Sequence, residues 1–160
     1  MMDDQLIRAQ ASAAEIACGR ISPPRLAALR DSFEEACRLP AEAGWESKAA
    51  AHAAFFAVLA EAAEAAGDPA ASSVLASGGQ LARELMITAG RGCDGIVVNS
   101  RRRFLEHLRG GDPGGATLEL EDHLRILRVM CRLAGRGGRA RARDAVLTSV
   151  AQALIPAADR

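Results

Sequence analysis

The chain has no tyrosine, one tryptophan and only four phenylalanines. With alanine this abundant, such a shortage favours closely packed helices over a β-sandwich, whose faces depend on β-branched and aromatic side chains. There is no C-x-x-C pair, and Cys18, Cys37, Cys93 and Cys131 are widely and irregularly spaced. That argues against a zinc ribbon or a thioredoxin-like site; buried, reduced thiols are expected rather than a disulfide framework. No charge is in excess, with 20 basic against 20 acidic residues. Neutrality argues against the whole chain being a nucleic-acid binder, although a local patch stays open. No apolar run approaches the ~20 residues of a membrane span. The start, Met1-Met2-Asp3-Asp4, is acidic and no signal-peptide core follows it. A cytoplasmic protein without membrane contact is expected. A P-loop, a dinucleotide glycine fingerprint and a nucleophile elbow are all missing. None of the three histidines follows a glutamate by three residues, the pattern of di-iron bundles. These absences argue against an enzyme.

What is present reads as one domain of 160 residues, 49% of them apolar. The spacing predicts a helix from Asp3 to Cys18 with Leu6, Ala9, Ala13 and Ile16 on its face and Ser12 beside them. Ser22 and Pro23-Pro24 open a second, running to about Arg38, with Leu26, Leu29, Phe33 and Cys37 on one stripe. A long third helix, from Ala41 or Glu42 to Ala66, aligns Trp45, His52, Phe56, Leu59 and Ala63. Gly67-Asp68-Pro69 leads into a fourth, ending near Thr88. Gly78-Gly79 in its middle predicts a kink or a close contact. A glycine-rich loop, Ala89 to Gly95, follows. The fifth and sixth helices, about Gly95–Arg109 and Pro113–Ala134, meet at Gly110-Gly111-Asp112. Beyond a basic Gly/Arg linker, a last helix is expected from about Arg141 to Ile155. No alternating β pattern and no fixed-period repeat is found. The fold class is therefore all-α, an antiparallel bundle of six or seven helices.

The stretch from Ser100 to Leu124 holds the main functional signal. Val97, Arg101, Phe104 and Leu108 share one helical face, and Ala116, Leu120, His123 and Leu127 share another. Each apolar face thus carries one cationic or titratable group, which is costly to bury without a partner. His107 falls off the inner stripe and reads as surface. Arg101-Arg102-Arg103 reads as a solvated basic run, and the cluster from Arg136 to Arg143 as a solvated linker.

Three segments resemble the FadR C-terminal (FCD) domain, the effector-binding half of many GntR-type bacterial transcription regulators. They are Ala13 to Leu29 with its Ile21-Ser22-Pro23 turn, His52 to Pro69 with Phe56, Leu59 and Gly67-Asp68-Pro69, and Arg101 to Leu124 with the Asp112-Pro113 corner, Ala116 and His123-Leu124. The resemblance implies an effector-binding bundle over residues 1–134, with residues 135–160 as linker and tail helix. It implies a small organic acid as effector, a homodimer, and DNA contact only through a winged-helix domain not found in this chain. In many members one Asp and three His hold a divalent metal of the Zn or Ni type in the bundle cavity. Here His123 matches the closing histidine, while Arg101, His52 and Phe56 stand at the other three positions.

Several readings of those residues stay open. His123 and His52 could serve a metal, which wants three or four N or O ligands. Arg101 could fork a carboxylate, with His52 and His123 as donors, and Phe56 is counted with them among the ligand-binding residues. His123 could instead be a hydrogen-bonded core histidine, with Arg101 swung to the surface beside Arg102 and Arg103. A degenerate, ligand-free dimerisation or interaction module is the alternative function.

Overall fold

A computed structural model describes residues 3–135. The expected tail helix from Arg141 to Ile155 lies outside the described residues. Within them the fold is all-α, as expected, with six helices: α1 (Asp4–Gly19), α2 (Pro23–Arg38), α3 (Trp45–Ala65), α4 (Pro69–Ala89), α5 (Asp94–Arg109) and α6 (Pro113–Gly135). Short 3-10 turns, Ala41–Ala43 and Arg91–Cys93, precede α3 and α5. No described helix is long and apolar enough to cross a membrane.

Capping sets the helix starts. Asp3, Asp68 and Asp112 each accept a backbone N–H in the first turn of the helix that follows, all at 2.8 Å. Ser22 holds the cap position of α2 but makes no side-chain capping bond. Gly44, with φ of 77°, breaks the chain between the 3-10 turn and α3. That is why the long helix starts at Trp45 and not at Ala41 or Glu42.

α3 is the centre of the bundle. It buries residues on several faces, among them His52, Phe55, Phe56, Leu59 and Ala63. α4 returns antiparallel along it, tied at the far end by Trp45 Nε1 donating to the Met86 carbonyl at 2.8 Å. The glycine pair in α4 serves a close contact. A Cβ on Gly79 would lie 3.0 Å from Phe56 Cβ, and one on Gly78 would overlap the Gln10 carboxamide. α5 and α6 form a second antiparallel pair, joined by the Gly110–Asp112 corner. α1 runs antiparallel to α6, with Arg128 and Asp4 paired at 2.8 Å, while α2 covers α3 and the edge of α5.

One expected face is corrected. On α1 the buried residues are Ile7, Gln10, Ala11, Ala13, Ala14, Ala17 and Cys18. Leu6 and Ile16 point to solvent, 38% and 41% exposed. An alanine-rich helix has little contrast between its sides, so two large residues misled the phase while small ones did the packing. Gln10 is affordable inside because its amide donates to the Val74 carbonyl at 2.7 Å. On α2 the expected stripe faces the core, with Leu29 buried and Leu26 and Phe33 packed half-buried against it. Cys37 is exposed, contrary to the expected buried thiol, and Cys131 is half-buried.

Candidate buried cation site

Arg101 sits in the middle turn of α5, on the face that carries Val97, Phe104 and Leu108 into the core. It is 1% exposed, whereas its neighbour Arg102 is exposed. The surface reading of Arg101 is thereby excluded. Its guanidinium carbon lies 4.6 Å from the centroid of Phe55 and 5.0 Å from that of Phe56, both on α3. Phe55 in turn meets Phe104 edge-on at 5.2 Å. The negative ring faces attract the cation, but Nε, Nη1 and Nη2 have no hydrogen-bond partner among the described residues. Burial pulls the Arg101 pKa down to about 9, which still leaves it cationic at neutral pH.

His123 comes from α6, two turns beyond Thr117, and is 1% exposed. Neither ring nitrogen has a hydrogen-bond partner among the described residues. Burial, then the charge of Arg101, then His52, hold its pKa well below the usual value. It is neutral at pH 7. His52 from α3 is 3% exposed. Its Nε2 lies 3.3 Å from Asp94 Oδ1, and Asp94 Oδ2 lies 3.3 Å from Lys48 Nζ. Its Nδ1 has no hydrogen-bond partner among the described residues. Burial and then Arg101 lower its pKa, more strongly than Asp94 raises it. Ser100 Oγ, next to Arg101, is also buried without a hydrogen-bond partner among the described residues.

All four sequence-predicted residues are therefore buried around the junction of α3, α5 and α6. Arg101 touches Phe56, and its charge is felt by both His52 and His123. Sequence reasoning missed the Asp94–Lys48 support of His52, the Phe55 ring under Arg101, and Ser100. Only Phe55 had a signal, since it adjoins Phe56. Asp94 and His52 are 42 positions apart, and no periodicity links them. His107 is partly exposed and bonds Asp112 at 2.9 Å, consistent with a surface role.

The donor set does not fit a transition metal. Two neutral imidazoles would be available, but a fixed guanidinium charge sits beside both and would repel the ion. Among the described residues no three His, Cys, Asp or Glu side chains gather to hold one.

A half-open cleft of about 260 Å³ lies between α5 and α6. Ser100 and His123 line it, with Ile96 and Ile126 as apolar walls. Arg103 and Glu119 face each other across it at 3.7 Å. A larger cleft of about 420 Å³ between α1 and α6 includes none of Arg101, His52 or His123.

No family model, no curated protein and no solved structure matches this chain.

Proposed function

We propose that the bundle is an effector-binding and dimerisation domain of a transcriptional regulator of the GntR/FadR type, sensing a small organic carboxylate. The observation that carries this reading is the Arg101 guanidinium, buried with three nitrogens that have no hydrogen-bond partner among the described residues. An uncompensated buried charge of this kind costs roughly 3–5 kcal/mol. A desolvated cation–π contact returns only about 2 kcal/mol. A carboxylate closes the difference, since its two oxygens accept a pair of parallel N–H bonds from a guanidinium fork. His123 and the free side of His52 supply neutral polar atoms beside it, so no second cation competes. On this reading the acid favours one bundle geometry, and in a homodimer that preference changes the spacing of two winged-helix domains on DNA. The partners are the acid and a second copy; DNA is reached only through the separate winged helix.

The test is isothermal calorimetry with a panel of small mono- and dicarboxylates on wild type and Arg101→Met. Saturable heat with wild type and none with the variant is expected. Silence of the whole panel on wild type sinks the reading.

One observation favours a second reading, a ligand-free interaction module. Phe56 is fully buried where the resembled family has a ligand histidine, and it closes on Arg101 together with Phe55. In that case the two rings alone hold the cation.

A further inference from the structure

The cleft of about 420 Å³ between α1 and α6 lies on the opposite side of α6 from the α5 pair. Arg8, Ala11, Ser12 and Glu15 line it from α1, and Gly114 and Leu118 from α6. Its middle is built of small side chains. Leu118 stands in it 63% exposed, the most exposed large apolar residue among the described ones. The two ends of the α1 lining carry opposite charges. Arg8 and Glu15 are exposed, and neither stands in an ion pair among the described residues. Two acids near Arg8 are already engaged: Asp4, one turn earlier on α1, with Arg128, and Glu121, which lines the same cleft, with Arg125. Seven residues separate Arg8 from Glu15, two turns and about 10 Å along one helical face, too far for them to pair with each other. Ala11 and Ser12 lie midway between them.

This pattern is complementary to itself. A two-fold axis through the midpoint of Ala11 and Ser12 turns a second α1 end for end, so that residue 8 of each copy faces residue 15 of the other and residue 11 faces residue 12. Two pairs of opposite charge then flank a centre of small side chains, which lets the helices come close. The same axis sets the two Leu118 side chains beside one another, out of water. A parallel pairing would instead put Arg8 on Arg8 and Glu15 on Glu15. A partner of one charge sign would satisfy one end of the cleft and be repelled at the other.

We infer that the α1–α6 face is where two copies of this chain meet, α1 antiparallel to α1, with Arg8 of each copy paired to Glu15 of the other. This rests on the homodimer in the reading above and is independent of what Arg101 binds. Arg8 and Glu15 set the orientation of the pair, and Leu118 supplies the apolar contact beside the axis.

The experiment is a charge swap on the full chain, read as a dimer dissociation constant by analytical ultracentrifugation. Arg8→Glu and Glu15→Arg should each weaken the dimer about tenfold, since either one turns two attractive pairs into two like-charge pairs. Arg8→Glu combined with Glu15→Arg rebuilds both pairs with the signs exchanged and should restore wild-type dimerisation. Because the two residues are too far apart to pair within one chain, such a rescue reads a contact between chains. Leu118→Asp should also dissociate the dimer. Circular dichroism should show the same helix content in every variant, all three positions being exposed. A dimer that the single swaps leave unchanged, or that the combined swap fails to restore, overturns the inference and leaves the homodimer to another face. A wild-type monomer at every concentration removes both.

Discussion

At the scale of single residues, Arg101 is the side chain that does not belong to an ordinary core. Among the largest fully buried side chains it is the one with a charge, and its company is two phenyl rings. Replacing a buried ionic group by an apolar one of similar volume is often stabilising. Arg101→Met should therefore raise the ligand-free stability, by about 1–4 kcal/mol in urea unfolding, while removing carboxylate binding. Lower stability in the variant would mean that the rings compensate the charge fully, and the interaction-module reading would gain. The histidines give a second prediction. The folded pKa values of His52 and His123 lie below the ordinary 6.5. Above that pH both folded and unfolded chains carry neutral rings, and these groups add no slope. As pH falls through 6.5 the unfolded chain takes up protons that the folded chain refuses, so stability is lost toward acid. Each refused proton contributes about 1.4 kcal/mol per pH unit. His52 has Asp94 to relieve it, with Lys48 and Arg101 opposing, whereas His123 faces Arg101 and His52 without a carboxylate partner. His123→Leu should then flatten the decline between pH 6.5 and 5. An unchanged slope in denaturant midpoints would show that His123 does not titrate in this way.

At the scale of elements, the α4 glycine pair explains how three helices meet. α1, α3 and α4 approach at Gly78 and Gly79, where Gln10 and Phe56 occupy the space of a methyl group. Gly78→Ala gains up to about 1 kcal/mol in helix propensity, yet it must displace the Gln10 amide and its bond to Val74. The single variant should be destabilised by about 1–2 kcal/mol net, from overpacking. With Gln10→Ala in the same chain the obstacle is gone, and Gly78→Ala should become stabilising. A double-mutant cycle with zero coupling would contradict the close approach. The corner at Gly110–Asp112 follows the same logic of local chemistry. Gly111 turns with φ of 74°, and Asp112 then caps α6 through the Gly115 N–H. The Gly115 N–H, with His107 second, holds the Asp112 carboxyl below the usual range.

At the scale of the whole molecule, the site exists because α3 converges with the α5–α6 pair, which lies far from it in sequence. α3 supplies the rings and His52, α5 the cation, and α6 His123. A ligand there would bind the folded chain alone and would tie α5 and α6 to α3. Saturation with a binding carboxylate should raise the melting temperature, and the rise should grow with ligand concentration as mass action requires. The proposed regulator also acts as a pair. Light scattering after size exclusion should give about twice the 16.7 kDa chain mass. A monomer at all concentrations would remove the dimer-based mechanism and leave the binding site untouched.

Much of this protein follows from local rules that need no partner. Most helix ends came from Asp, Gly and Pro at fixed offsets, the start of α3 at Trp45 excepted, and the all-α class from alanine and the absence of alternation. The inward phase of Arg101 and His123 came from the 3.6-residue period alone. The burying face of α1 did not follow, because alanine on several sides leaves no contrast for that period to reveal. Nor did the depth of Arg101, its two-ring setting or the Asp94 contact to His52. Helical phase says which way a side chain points on its own helix; what it points at belongs to another helix, and only the tertiary fold brings the two together.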